Sequence, residues 1–301
     1  MPTVSVSIPA YNEEDIIGRT IENVLDQTFE DFELLIVDDG STDDTRTVVE
    51  EYTDDPRVRY IYQENQGFPG ARNTGLEEGE GEYYAFIGAD DLWAPTKLQK
   101  QVAYLEDTDA DMVHSNVYHI DATGQITGVR WDKHPPATDD REQFLRKLFM
   151  HNFICIQSVI VHRDHIEHRR FDEELQINCD HDMWLRVAED AHIEYVGEKL
   201  VRKRYDGGNI SSNYERLFEE RRQLAEKAAD RYPFLEDLRD RKLASIHLTY
   251  GINLIADGDL ATGRDALRQA ISYDATNWRS YATYLLSFAG PRTVQAVAKE
   301  V

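Results

Sequence analysis

The sequence is poor in lysine: only nine of its 33 basic residues are lysine, whereas 57 residues are acidic. The resulting net charge of −24 is spread over all 301 residues. Such a surface repels polyanions, which argues against free nucleic acid or a bare anionic membrane as a partner. It is typical of salt-adapted (halophilic) proteins, because in molar salt the Debye length falls to about 3 Å and self-repulsion is screened. An ordinary acidic enzyme is the alternative.

Cysteine and long apolar runs are also scarce. Cys155 and Cys179 are too few for a disulfide scaffold and too far apart for a zinc knuckle, which favours a reducing compartment. No window reaches the ~20 apolar residues of a membrane span, and the first residues lack the basic segment of a signal peptide. We therefore expect a cytoplasmic protein, either soluble or peripheral to the inner face of the cell membrane.

The first half of the chain alternates between apolar runs and helical patterns. The predicted strands are TVSVSI (3–8), FELLIVDD (32–39), VRYIYQ (58–63) and YYAFIG (83–88). This alternation predicts an α/β fold with a Rossmann-like, mostly parallel sheet and flanking helices. In such sheets ligands bind beyond the carboxyl ends of the strands.

The middle of the chain is less regular. It predicts strands over 111–120 and 154–163, a hairpin through DATGQ to 125–131, a helix over 177–189 and two short strands within 193–205. Beyond it, we expect only helices.

The predicted domains are therefore residues 1–212 and a helical C-terminal appendage, 213–301. Its segment 258–277 resembles one helix–turn–helix unit of a tetratricopeptide-like array. We expect these helices to bind a protein partner, a membrane or a second copy of the chain.

Polar clusters follow three of the predicted strands. PAYNE (9–13) follows the first, Asp38 and Asp39 end the second, and Asp90 and Asp91 follow the fourth. Because the carboxyl ends of parallel strands share one edge, we expect these residues to line one cleft. Adjacent carboxylates at the end of a buried strand need either water or a cation, and oxygen ligands suit Mg²⁺ or Mn²⁺.

Five motifs in register (PAYNE, VDDGS, GARN, GADD and CDHD) resemble those of the family 2 glycosyltransferases, which have the GT-A fold. The resemblance covers about residues 3–212. It implies an inverting, metal-dependent enzyme that moves a sugar from a nucleotide-sugar, such as a UDP-sugar, to a hydroxyl of a glycan or lipid-linked glycan. Cell-surface polysaccharide assembly or protein glycosylation would be its setting, with Mn²⁺ or Mg²⁺ as the cofactor.

The resemblance assigns Asp90 and Asp91 to the metal and, through it, to the donor diphosphate. Gly88 stands where the family's metal motif usually has its first acid, which removes one carboxylate from the donor site. A solvated pair of acids at the strand end is the alternative. Together, Gly88 and Cys179 keep open a second hypothesis, an inactive nucleotide-sugar-binding or scaffold protein.

The resemblance also implies a set of donor-binding residues. An acceptor-only carboxylate at Asp39 would favour uracil over cytosine, while Asp38 shapes the loop or holds the ribose; a turn and helix cap is the alternative for both. Tyr11 stacks on the base or packs in the core. The full predicted set is Pro9, Ala10, Tyr11, Asn12, Glu13, Asp38, Asp39, Arg72, Asp90, Asp91 and Arg204.

Two predicted donor residues are basic. Arg72 reaches the nucleotide or pairs with the strand-end acids, and both alternatives stay open. Arg204 ends the basic run Arg202–Arg204, which fits either a lid over the diphosphate or a solvated strand end.

The CDHD motif carries the predicted catalytic base. In the family this base is an Asp that follows another acid; here Asp180 matches it and Cys179 replaces the preceding acid. Asp182 would position the acceptor or cap the helix, and Trp184 would form a sugar platform or a core contact. The alternative for the acids is that the helix dipole favours them in the first turn.

Overall fold

The computed structural model describes residues 1–130, 140–204, 213–291 and 293–294. Its contacts divide the chain into two compact units, Met1–Asn209 and Ile210–Val301. The predicted boundary at residue 212, and the loop that precedes it, lie outside the described residues.

The first unit contains a single large sheet with helices. Its strands are β1 (Val4–Ala10), β2 (Phe32–Asp38), β3 (Val58–Tyr62), β4 (Tyr83–Phe86), β5 (Leu92–Trp93), β6 (Met112–Ile120), β7 (Ile126–Val129), β8 (Ile160–His162) and β9 (Ile193–Arg204). Its helices are α1 (Ile17–Leu25), α2 (Thr45–Glu50), α3 (Gly67–Glu78), α4 (Lys97–Asp107), α5 (Arg141–Met150) and α6 (Cys179–Val187).

The sheet follows the order β3-β2-β1-β4-β8-β6-β9-β5, and β7 pairs with β6. The pairings among β1 to β4, and the long β6–β9 ladder, are parallel. Every residue of β1 and β2 is buried, as expected for strands that are covered on both faces. The expected α/β fold with a mostly parallel sheet is confirmed, although β8, β7 and β5 pair antiparallel.

Three local predictions are wrong in detail. The first half of the predicted strand 154–163 is instead a 3₁₀ turn (Ile156–Ser158). The Ser158 N–H and hydroxyl both donate to the Cys155 carbonyl, and these hydrogen bonds compete with strand pairing in the sheet. The two short strands within 193–205 are one strand, β9. The sequence offers an N-cap signal at Ser41 or Thr42, but α2 begins at Thr45 and its N-cap residue is Asp44.

The second unit is helical within its described residues. Its helices are α7 (Tyr214–Arg231), α8 (Glu236–Ala256), α9 (Leu260–Tyr273) and α10 (Trp278–Leu286). The backbones of α8 and α9 pack closely at Gly251: a methyl group added to this residue would lie only 2.9 Å from the Gly263 carbonyl oxygen. The segment 258–277 holds one helix, α9, which pairs with α8, and its resemblance to a tetratricopeptide-like unit stays a prediction.

Large apolar side chains on α10 and just beyond it are exposed. They recur at helical spacing, and Trp278 and Leu285 are 70% and 69% exposed; the others are Tyr281 and Phe288. The expected partner of these helices stays a prediction. Among the described residues, no helix is both long and apolar enough to cross a membrane.

Candidate active site

The loop after β1 is fastened to the loop after β2. The Asn12 N–H donates to Ser41 Oγ (3.0 Å), and Asn12 Oδ1 accepts from the Thr42 N–H (2.8 Å). Asn12 adopts φ 56°, a left-handed conformation that asparagine tolerates better than most residues. Together these contacts fix the first two strand-end motifs as one surface.

Within PAYNE, Pro9 and Ala10 are buried residues of β1, not loop residues. Pro9 lies beyond Ser7, the last β1 residue that pairs with β4, so its missing N–H costs no ladder bond there. Tyr11 is 44% exposed, so its core-packing alternative does not fit and its ring is available for stacking. Glu13 is half-buried, and its N–H donates to Thr45 Oγ1 (2.8 Å).

Asp38 shapes the loop that follows β2. Its Oδ1 accepts from the Ser41 N–H at 2.8 Å, and its Oδ2 accepts from the Tyr60 hydroxyl at 2.5 Å. Burial, reinforced by the Asp38 hydrogen bond and charge, raises the pKa of Tyr60, so this hydroxyl stays a donor. The buried Asp38 carboxylate is therefore already engaged by the protein.

Asp39 anchors the beginning of α3. Its Oδ1 accepts from Gln63 Nε2 (2.7 Å) and the Gln66 N–H (2.8 Å), and its Oδ2 accepts from the Gly67 N–H (2.8 Å). Burial raises the pKa of Asp39, although these three hydrogen bonds oppose the shift. Asp39 therefore stabilises the turn before α3, which is the alternative role stated above, and its contact with a pyrimidine stays a prediction.

Asp91 is the more buried of the two acids that follow β4, with 1% of its surface exposed. Its Oδ1 accepts from the Arg204 N–H (3.0 Å), while Oδ2 is buried without a hydrogen-bond partner among the described residues. Burial, followed by the Asp90 charge, raises the pKa of Asp91 to about 7. The nearby Lys203 and Gln157 side chains lower that pKa.

Gly88 shows where the two carboxylates point. A methyl group on Gly88 would lie 2.9 Å from Asp91 Oδ2 and 3.0 Å from Asp90 Oδ1. Both oxygens therefore border one space, and this space is open only because residue 88 has no side chain.

The donor set fits a hard divalent cation that also binds phosphate. Among the described residues, no group of three or more His, Cys, Asp or Glu side chains could hold a metal. Mg²⁺, however, is usually held by one or two carboxylates together with substrate phosphates and water. The buried, unpartnered Asp91 Oδ2 is the oxygen that would gain most from such a cation.

The two predicted basic donor residues differ in their contacts. The buried Arg204 guanidinium donates to the carbonyl oxygens of Ala122 (2.7 Å), Asp121 (3.2 Å) and Asp90 (3.4 Å). It therefore holds strand ends together, and its role as an open diphosphate contact does not fit this geometry.

Arg72 does not pair with the strand-end acids, and its contact with the nucleotide stays a prediction. Its Nη1 donates to Cys179 Sγ at 3.0 Å, and its guanidinium carbon lies 5.6 Å from the Phe171 ring centroid. Within the described residues it forms no ion pair with a carboxylate. This contact joins α3 to the start of α6, where the candidate base lies.

Asp180 lies half-buried in the first turn of α6. Its Oδ1 accepts from the His181 N–H (2.7 Å) and from Asn152 Nδ2 (3.4 Å). These contacts orient Oδ1, whereas Oδ2 accepts no hydrogen bond from the described residues.

The two predicted acceptor residues are otherwise engaged. The first, Asp182, is largely buried and forms an ion pair with Arg186, which is also largely buried: Arg186 Nη2 lies 2.7 Å from Asp182 Oδ2. Asp182 does not cap the helix, whose N-cap residue is Asn178. Trp184 is fully buried, so the sugar-platform prediction is wrong and the core alternative fits.

Two polar residues near the site were not predicted from the sequence. Gln157 and Asn152 follow α5 in a segment that contacts Asp91 and Asp180. A buried glutamine within the apolar run ICIQSVIV was the one available signal. Asn152 carried none, because its contact with Asp180 depends on how α5 and α6 pack.

The comparisons agree with the fold and the motifs. The model of glycosyl transferase family 2 matches residues 5–168, which is more than half of the chain. The chain belongs to this family, and it is a glycosyltransferase of the GT-A fold.

The chain is similar to parts of two curated proteins. It is 30% identical to chondroitin synthase of Escherichia coli over 70% of this chain and 30% of that protein. It is 44% identical to the putative teichuronic acid biosynthesis glycosyltransferase TuaG of Bacillus subtilis over 35% of this chain and 42% of that protein. The chain thus spans less than half of either relative.

Two solved structures share the fold. TarS 1–349 of S. aureus, in complex with UDP-GlcNAc, superposes with a TM-score of 0.69 at 20% identity and covers 99% of this chain and 92% of that one. The mannosyltransferase PcManGT of Pyrobaculum calidifontis, in complex with GDP-Man and Mn²⁺, gives 0.61 at 19% identity over 99% and 86%.

Proposed function

We propose that the protein is an inverting glycosyltransferase that transfers a sugar from a UDP-sugar to a hydroxyl of a glycan or lipid-linked glycan acceptor. The observation that carries the proposal is the shared space beside Gly88, which Asp90 Oδ1 and Asp91 Oδ2 border. Two carboxylate oxygens directed at one space, one of them unpartnered, are suited to a divalent cation and a diphosphate.

The donor would lie along the edge formed by the ends of β1, β2 and β4. The exposed Tyr11 ring would stack on the base, and Asp39 would accept from its N3–H. Asp90 and Asp91 would hold Mn²⁺ or Mg²⁺, which neutralises charge on the departing diphosphate when bound. The complex of TarS with UDP-GlcNAc supports this choice of donor class.

The chemical step would depend on Asp180. Its free oxygen would take the proton of the acceptor hydroxyl while the hydroxyl oxygen attacks the anomeric carbon. The bond between that carbon and the diphosphate oxygen breaks on the opposite face, so the configuration inverts. Asn152 and the His181 N–H would hold the carboxylate in position.

We further propose that the enzyme works in molar salt. The support is its net charge of −24 and its nine lysines. At low salt the unscreened repulsion among acids would destabilise the folded state.

The first experiment is calorimetric titration with UDP in molar KCl, with and without Mn²⁺. We expect binding that depends on Mn²⁺ and that Asp90→Ala removes. Asp54→Ala, which removes an exposed acid outside the five motifs, is the matched control and should bind as the wild type does.

The outcomes separate the alternatives. Binding that is equal with and without Mn²⁺ would contradict the metal proposal. Failure to bind UDP would contradict the donor assignment, and GDP would be tested next because PcManGT binds GDP-Man with Mn²⁺. Failure with both nucleotides would favour the inactive scaffold.

A further inference from the structure

The charge at the strand ends changes sign across the sheet. β4 leads into Asp90 and Asp91, whereas the second half of the sheet carries basic side chains at the same edge. His119 and Lys203 are directly paired in the parallel β6–β9 ladder, and the Arg130 N–H donates to the Val117 carbonyl of β6 at 2.9 Å. Backbone pairing therefore brings three basic residues to one place.

These three side chains act on one another and on the acid pair. Burial, and then the positive charges of Arg130 and Lys203, lower the pKa of His119. Lys203 also lowers the pKa of Asp91, where burial is the largest influence and acts in the opposite direction. Lys203 directly precedes Arg204, whose N–H donates to Asp91 Oδ1 at 3.0 Å, so the basic group borders the proposed metal position.

The same group reaches the candidate base through two hydrogen bonds. Arg130 Nη2 donates to the Asn152 carbonyl at 2.9 Å, and Asn152 Nδ2 donates to Asp180 Oδ1 at 3.4 Å. All of these side chains are half-buried, as expected for residues that line a cleft. The basic group therefore lies on the side of the site where the acceptor must approach Asp180.

We propose that His119, Arg130 and Lys203 form a subsite for an anionic substituent, a carboxylate or a phosphate, of the acceptor glycan. This inference rests on the proposed transferase function and names the acceptor class as an acidic glycan. A guanidinium binds either anion through two parallel hydrogen bonds, and a neutral imidazole donates a third. Because the protein has a net charge of −24, only basic side chains close to the bound anion can attract it. Half-buried charges suit this role because salt screens them less than exposed ones.

The test uses the full chain saturated with UDP and Mn²⁺ in molar KCl, so that the donor site is filled. Glucuronic acid, glucose 6-phosphate and glucose are titrated in turn. We expect either acid, or both, to bind at least about tenfold more tightly than glucose. A preference between the acids distinguishes a carboxylate from a phosphate subsite.

Arg130→Met should reduce acid binding to the level of glucose while UDP affinity stays within about twofold of the wild type. Arg268→Met removes the same charge from an exposed ion pair on α9 and should change neither affinity. If Arg130→Met does not fold, Lys203→Gln is measured in the same way.

Three results would overturn the subsite: equal affinity for all three sugars, acid binding that survives Arg130→Met, or loss of UDP binding in Arg130→Met, which would assign the residue to the donor. Failure of the wild type to bind UDP contradicts the proposed function instead. The sugars are then titrated without UDP, and equal affinities would still overturn the subsite.

Discussion

Both units bury titratable side chains, but only the first brings them to one edge. Asp38, Asp39 and Asp91 lie at the carboxyl ends of parallel strands, and backbone N–H groups hold each of them. In the second unit, burial lowers the pKa of Lys242 to about 7 and that of His247 to about 4. These two belong to one helix, α8, and are explained by packing.

Convergence of titratable side chains on one edge, more than their burial alone, marks a functional site. Burial of a carboxylate or an imidazole costs free energy that hydrogen bonds or a counter-charge must offset, wherever the group lies. In the first unit the cost recurs at the ends of β2 and β4, which share an edge, and this suggests a common ligand. We therefore expect substitutions at this edge of the first unit to change binding and rate, and those in the second unit to change stability alone.

The largest effect is expected for Asp180→Asn. The amide cannot take the acceptor proton, so the transfer rate should fall by about 10²–10⁴-fold, the usual contribution of a general base. UDP affinity should not change, because Asp180 is not placed on the donor. Steady-state transfer and calorimetry measure the two quantities.

Asp182→Asn is the matched control for Asp180→Asn. Its carboxylate is held by Arg186, so the rate should fall far less. Unchanged turnover in Asp180→Asn would exclude the residue as the base.

The second effect concerns Gly88. The methyl group of Gly88→Ala would enter the space that Asp90 and Asp91 border, so Mn²⁺-dependent UDP binding should weaken by about tenfold or more. Gly128→Ala, whose methyl group meets nothing within 4 Å, is the control. Wild-type affinity in Gly88→Ala would mean that the cation approaches from another side.

Much of the first unit could be predicted from the sequence, because local signals and long-range structure agree there. The runs FELLIVDD and YYAFIG are apolar on both faces and end at acids or glycine, and the structure places β2 and β4 on them. Arg72 shows the limit: its contact with Cys179 spans 107 positions and depends on how α3 meets α6. Lys97 is fully buried over the Trp93 ring, which no charge pattern indicates.

The third prediction tests the second unit. Gly251→Ala places a methyl group 2.9 Å from the Gly263 carbonyl oxygen and from Leu267 Cγ, so α8 and α9 must move apart. The gain in helix propensity, about 1 kcal/mol, offsets part of the cost. We expect a net loss of about 1–2 kcal/mol, seen as a lower midpoint in thermal unfolding.

Ser245→Ala is the control for Gly251→Ala, since it adds helix propensity at an exposed position of α8 without a new contact. UDP affinity should be the same in both variants. Weaker UDP binding in a folded Gly251→Ala protein would contradict the division of roles between the units.

The smallest effect is a pH dependence that originates at His247. Its ring lies 4.9 Å from Phe218 and 5.3 Å from Tyr273 between centroids, and burial is the main reason for the pKa of about 4. The unfolded chain takes up the proton near pH 6.5 and the folded chain only near pH 4, so this histidine's contribution to stability falls as the pH drops through that window. Since the ring is only half-buried, solvent screening should limit the loss to about 1 kcal/mol.

His247→Phe keeps an aromatic ring and should remove that part of the slope between pH 4 and 6.5, measured by urea unfolding at each pH. An unchanged slope would show that other groups, such as the many carboxylates, account for the acid sensitivity.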